Sequence, residues 1–130
     1  YLKKINKLKL KKKFIFCGYK KNLTKYFNST NLYVNTSLYE SFPNSVIQAI
    51  NNSLPIITSK SFGGINEIIK NNFSGVFFET NNSKALSQKI LNFKKNKKKY
   101  ENFALNAHNT LKKFSFDKIE KKFENELLNL

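Results

Sequence analysis

Four short apolar runs separated by helical spacing constrain this chain more than any other feature. They are Phe14 to Cys17, closed by Gly18; Asn31 to Asn35; Pro55 to Thr58; and Gly75 to Phe78. Runs this short and this apolar read as strands buried in a sheet. Between them the spacing turns helical. Leu2, Ile5 and Leu8 predict an opening helix, and Leu23, Tyr26 and Phe27 a brief second one. Asn44 to Asn52 reads as a helix opened by Pro43 and Asn44, and Ile65 to Lys70 as another, entered through a Gly63-Gly64 turn. From Ser83 the pattern is helical to the C-terminus, broken near Asn96 and again around Ser115. Strands alternating with helices predict parallel βαβ units, hence an α/β fold: one doubly wound parallel sheet with helices on both faces, ending in C-terminal helices over about 83–130. In such sheets ligands bind beyond the carboxyl ends of the strands. That rule puts the loops at Gly18, Thr36 to Asn44 and Ser59 to Gly64 on one rim.

A chain of 130 residues and 15.2 kDa makes one domain, and 40% hydrophobic residues with 15% aromatics are enough for a core. There is no Met, and Tyr1 falls inside a helical pattern, so the expectation is a piece of a longer polypeptide. The net charge is +16, from 24 basic and 8 acidic residues, and every basic residue is Lys. Specific nucleic-acid readers rely on the bidentate Arg fork, so this composition argues against a nucleic-acid partner. Lys11 to Lys13 and Lys94 to Lys99 read as solvated faces. They also offer a peripheral attraction to an anionic membrane, on the order of 1 kcal/mol per Lys near the surface. Cys17, the one cysteine, excludes an intrachain disulfide, fits a reducing cytoplasmic setting and is expected to be a buried core thiol. No stretch reaches the roughly 18 apolar residues of a membrane span. His108, the one histidine, lies among Lys and Asn on a helix and is expected at the surface.

The chemistry concentrates in Ser37 to Ala49, where an acid in a strand-to-helix loop, Glu40, is followed by a helix start rich in small polar groups. A helix N-terminus presents unpaired N–H groups and a partial positive charge, which suit a phosphate. Pro43 has no N–H, which leaves the amides of Asn44, Ser45 and Val46 as the expected donors. Gln48 lies one turn beyond Asn44 on the same face, so Glu40 and Gln48 can flank one ligand.

This stretch resembles the donor site of the retaining GT-B glycosyltransferases called family 4 or group 1, which carry a pair of acids with seven residues between them in a setting like Ser-x-x-Glu-Gly-Phe-Pro-Asn-x-x-x-Glu-Ala. Ser37, Glu40, Phe42, Pro43, Asn44 and Ala49 match it as they stand. Leu54 to Thr58, Gly63 to Ile69, Asn72 to Val76 and Phe114 to Phe116 resemble the later motifs in order. The resemblance implies a Rossmann-like domain, the C-terminal half of a GT-B fold, spanning 1–130 with the acceptor domain and the first strand of this domain absent. It implies that Glu40 accepts hydrogen bonds from hydroxyls of the donor sugar and is the catalytic position. Backbone around Ser41, Phe42, Pro43, Asn44 and Ser45 would hold sugar and diphosphate, Gln48 the ribose, and Gly63 and Gly64 would let the chain pass close by. No metal and no cofactor are implied; a UDP- or GDP-linked sugar is the substrate, and a cell-surface glycan or lipid-linked molecule the acceptor, with transfer at the inner face of the cytoplasmic membrane.

Three residues depart from the pattern: Gln48 stands where the second acid is usual, Ser53 where glycine precedes Leu-Pro, and Ser41 where glycine follows the first acid. Glu67, an acid in a first helical turn, is equally explained by the helix dipole. Two readings follow. The leading one is the donor half of a hexosyltransferase that is inactive when isolated. The alternative is a degenerate, non-catalytic GT-B domain serving as an interaction or regulatory module.

Overall fold

The computed structural model describes residues 2–114 and Asn125. Three parallel strands form the central sheet in the order β1-β3-β5: β1 (Tyr33–Asn35), β3 (Ile56–Ser59) and β5 (Val76–Phe78). A second, two-stranded parallel ribbon joins β2 (Tyr39–Glu40) to β4 (Phe62–Gly63). The helices are α1 (Leu2–Lys7), α2 (Thr24–Asn28), α3 (Asn44–Asn51), α4 (Ile65–Ile68), α5 (Ser83–Lys95) and α6 (Lys97–Leu111), with 3-10 turns at Lys11–Lys13 and Lys112–Phe114.

Both faces of β3 are buried, as a central parallel strand requires. Ile56 packs into one cluster with Val46, Ala49 and Ile50 of α3, Ile65 and Ile68 of α4, Phe27 of α2 and Ala107 of α6. Its neighbour Ile57 faces the other way, into a cluster with Val76, Phe78, Phe93 of α5, and Tyr100 and Phe103 of α6. Successive strand residues alternate faces, so one Ile-Ile pair anchors both layers. Burying each such side chain stabilises the fold by about 2 kcal/mol. Tyr100 meets Phe93 edge-on at 5.4 Å and Phe103 at 5.6 Å, which locks α5 against α6. The helix break at Asn96 divides these two helices.

Several expectations need correction. Phe14 to Cys17 is not a strand: among the described residues it pairs with nothing, although Phe14 has extended backbone at φ −122° and ψ 134°. A strand exists only where a neighbour takes its hydrogen bonds, and none of the described residues does so for this segment. Cys17 is accordingly half-exposed rather than a core thiol. The helix expected over Ile65 to Lys70 stops at Ile68, because Ile69 is extended. There Ser74 Oγ accepts from Lys70 N at 2.8 Å and the chain turns back toward β5. The opening helix forms but buries none of its residues. His108 is half-buried, with Nδ1 shielded and without a hydrogen bond among the described residues. The break expected around Ser115, and the Ser115-Phe116 part of the late motif, lie outside the described residues.

Candidate functional site

The carboxyl ends of β1 and β3 carry a small buried polar lattice that fixes the loop leaving each strand. Asn35 closes β1. Its Nδ2 donates to Thr58 Oγ1 at 3.2 Å, and its Oδ1 accepts from Ser37 Oγ at 2.9 Å and Ser37 N at 3.3 Å. From β3, Ser59 Oγ donates to the Ser37 carbonyl at 2.5 Å. A buried hydroxyl or amide without a partner costs about 1–3 kcal/mol, so these four residues hold one another in place. Nothing in sequence periodicity singles out Asn35 or Ser59; a polar residue at a strand's last position beside a Ser-rich loop is the signal that could have found them.

From Ser37 the chain runs into β2, which ends on Glu40. β4 lies alongside, with Tyr39 opposite Phe62 and Glu40 opposite Gly63. Gly64 N donates to the Glu40 carbonyl at 3.0 Å. Gly63 has φ +107°, and a Cβ there would collide with the Glu40 carbonyl oxygen; one on Gly64 would sit 2.8 Å from the Ser41 carbonyl oxygen. Neither position accepts a side chain, so the two loops lie flush. The Glu40 side chain is half-buried and makes no hydrogen bond or ion pair among the described residues. Ser41 and Phe42 are exposed next to it.

Helix α3 begins at once. Pro43 (φ −82°, ψ 63°) makes an inverse γ-turn in which Asn44 N donates to the Phe42 carbonyl at 2.9 Å. The expectation of three free amides is therefore corrected: the Asn44 amide is already used. Those of Ser45 and Val46 remain as first-turn donors without a partner among the described residues. Ser45 Oγ accepts from Tyr33 OH at 2.9 Å, which ties the helix start to β1. Gln48 is exposed one turn on and lines a cleft of about 490 Å³ with Lys21, Asn22, Leu23, Thr24, Phe27 and Asn52. Glu40 does not line this cleft. The rim thus gathers Glu40, Ser41, Phe42, Pro43, Gly63 and Gly64 at one point, with Gln48 in a neighbouring recess below the helix start. Glu67 is exposed in the first turn of α4.

An acid presented by a flush Gly-Gly ribbon, followed within five or six residues by two helix-start amides without a partner among the described residues, suits a polyhydroxyl ligand joined to an anion. Residues 1–110 match the family described as glycosyl transferases group 1. The chain belongs to that family. A UDP-Gal:α-D-GlcNAc-diphosphoundecaprenol α-1,3-galactosyltransferase of Escherichia coli is 26% identical over 94% of this chain and 32% of its own length. The structure of Anabaena HepE with UDP superimposes with a TM-score of 0.86, at 21% identity, over 99% of this chain and 36% of that one. The C-terminal domain of the Francisella tularensis group 1 protein LpcC gives 0.77 at 21% identity, over 88% and 60%. The fold is the Rossmann-like C-terminal half of a GT-B glycosyltransferase, and the chain spans about a third of the length of the E. coli and Anabaena proteins.

Proposed function

We propose that this chain is the donor-binding half of a retaining glycosyltransferase that moves a hexosyl group from a UDP- or GDP-linked sugar to a glycan or lipid-linked acceptor. The observation that carries this reading is the presentation of Glu40. Its backbone is clamped by Gly63 and Gly64, while its carboxylate has no partner among the described residues, and helix α3, whose first-turn amides of Ser45 and Val46 have no partner among the described residues, starts four residues on. A carboxylate so held accepts from sugar hydroxyls, and two amides at a helix start stabilise the departing diphosphate. UDP bound to HepE and the undecaprenol-linked acceptor named for the E. coli relative support the substrate classes. Polypeptide beyond these 130 residues supplies the acceptor domain and a first strand of this domain, so the isolated chain turns over no sugar. Transfer takes place on the cytoplasmic side of the membrane, with the exposed lysines in peripheral contact with anionic lipid.

The test is Glu40→Ala in the longer protein that carries this chain. A charged hydrogen bond to a buried sugar is worth about 1.5–3 kcal/mol, and misplacing the anomeric carbon costs more in rate. Transfer should vanish while Tm stays unchanged. A variant keeping near wild-type kcat/KM would remove Glu40 from the donor site.

Gln48 favours a second reading, in which the domain keeps the fold as a non-catalytic module. It has no negative charge where the family pairs a second acid. Sugar transfer by the longer protein decides between the two.

A further inference from the structure

We infer that the outer edge of β5 carries a second binding site, a groove that takes an anionic glycan and is separate from the donor site at Glu40.

The groove, of about 610 Å³, runs along β5 between α4 and α5. β5 is bonded to β3 on one side, and no described strand lies on the other. Lys60 N donates to the Phe78 carbonyl at 2.9 Å, so by the alternation of a parallel ladder the N–H and C=O of Phe77 point outward. An edge of this kind invites another strand. Here the invitation is withdrawn, because Asn71 Oδ1 already accepts from Phe77 N at 3.0 Å. A strand added to β5 would have to displace Asn71 before it could form its ladder. The groove is therefore shaped for something other than polypeptide.

Its lining suits a sugar. Amide side chains both donate and accept, as vicinal hydroxyls do. Asn71 keeps its Nδ2 after holding Phe77 N, and Asn66 keeps its Oδ1 while its Nδ2 donates to the Ser61 carbonyl at 3.3 Å. Both amides are thus fixed by backbone before a ligand arrives, which lowers the cost of ordering them. Gln88, on α5, offers a whole amide without a partner among the described residues. Half-buried Phe77 adds an apolar patch for the C–H face of a sugar ring.

Charge decides the kind of sugar. Lys60 and Lys89 line the groove with one acid, Glu79, and none of the three forms an ion pair among the described residues. The excess of positive charge selects a glycan that bears carboxylate or phosphate groups. A lipid tail would leave the amides and ammonium groups unpaired. Glu40 does not line this groove, although Lys60 stands three residues before Gly63 in the loop that leaves β3. The site can therefore be tested apart from the donor reading.

The test is amide NMR on the longer protein without nucleotide sugar. The probes are hexagalacturonate and its methyl ester, singly phosphorylated maltohexaose and plain maltohexaose, and inorganic phosphate alone. A charged glycan should shift the side-chain amide signals of Asn71 and Gln88, and its neutral counterpart should bind roughly ten-fold more weakly. Binding of only one of the charged glycans supports the inference and names the anionic group. Lys60→Gln with Lys89→Gln should bring the charged glycan down to the level of its neutral counterpart. Gln88→Ala should weaken charged and neutral glycans alike. Lys60 and Gln88 are exposed, so the single variants Lys60→Gln and Gln88→Ala keep the fold. No shift at Asn71 and Gln88 with either charged glycan overturns the inference, as does equal binding of charged and neutral forms. Equal shifts with phosphate alone would leave an anion site only, and shifts confined to Ser41 to Gln48 would put the glycan at the donor rim. Either result overturns the proposed groove.

Discussion

The α-carbon of Gly63 lies against the carbonyl oxygen of Glu40 so closely that no side chain fits between them. Two loops, one leaving β1 and the other β3, are thereby fused into one ribbon, and the acid's direction is set by a residue 23 positions later in the chain. The glycine does this in two ways, by its φ of +107° and by the missing Cβ.

Gly63→Ala should therefore cost stability and ligand together. Strain at a φ that L-residues avoid, with a backbone clash added, amounts to about 2 kcal/mol, or roughly 8 °C in Tm for a domain of this size. Nucleotide-sugar binding by the longer protein should be lost with it. Gly18→Ala is the control. Its φ is +62° with open space around a built Cβ, so only the backbone penalty of about 1 kcal/mol applies and binding should persist. Thermal melts and titration calorimetry on both variants check this; equal losses would mean that the Glu40 contact adds nothing.

Asn35→Ala should loosen the same loop from below. It leaves buried Thr58 Oγ1 without the amide donor and half-buried Ser37 without its acceptor. The expected cost is about 2 kcal/mol, with faster amide exchange through Ser37 to Glu40. A variant that melts like the native chain, with no change in exchange at Glu40, would show that the lattice does not position the acid.

The strands and helices that bury a periodic apolar face were legible in the sequence. Pro55 to Thr58 and Asn44 to Asn52 emerge as β3 and α3 within a residue at each end, because Ile56, Ile57, Val46, Ala49 and Ile50 have neighbours to pack on. Phe14 to Cys17 has the same apolar content and no such neighbour, so composition alone misread it. The ribbon of β2 and β4 was invisible for a different reason. Two-residue strands have no period, and what pairs them is the space left by Gly63 and Gly64. At the site, Glu40 and the Gly-Gly turn were legible as motif residues. The use of Asn44's amide by Phe42 was not, since it follows from the ψ of 63° at Pro43.

Attraction to anionic vesicles should be electrostatic. Residues 1–39 contain ten lysines and no acid, from a chain total of 24 basic and 8 acidic residues. Charges on exposed lysines are screened beyond about 10 Å at 0.1 M salt and about 3 Å at 1 M. Co-sedimentation of the longer protein with phosphatidylglycerol vesicles should occur at 0.1 M and disappear at 1 M. Binding that survives 1 M salt would mean that apolar residues insert, with Phe14 to Phe16 the first to examine.

Gln48→Glu should tighten nucleoside-diphosphate binding in the longer protein. Gln48 is exposed in a cleft whose other walls include Lys21, Asn22 and Thr24. A carboxylate there accepts from both hydroxyls of a ribose, whereas the amide offers one acceptor oxygen and a donor NH2. Charged hydrogen bonds are worth about 1.5–3 kcal/mol and neutral ones about 0.5–1.5, so the gain should be close to 1 kcal/mol, several-fold in Kd. The opposing term is repulsion between the new carboxylate and the diphosphate. One helical turn separates Gln48 from the helix start at Asn44, and Lys21 in the same cleft supplies a compensating cation, so the opposing term is the smaller. Gln48→Ala should bind more weakly than the native protein, which separates a lost contact from a gained charge. Calorimetric titration of all three proteins with UDP and GDP gives the answer. If the Glu variant binds neither nucleotide more tightly, position 48 does not face a ribose, and the non-catalytic module becomes the better reading of the domain.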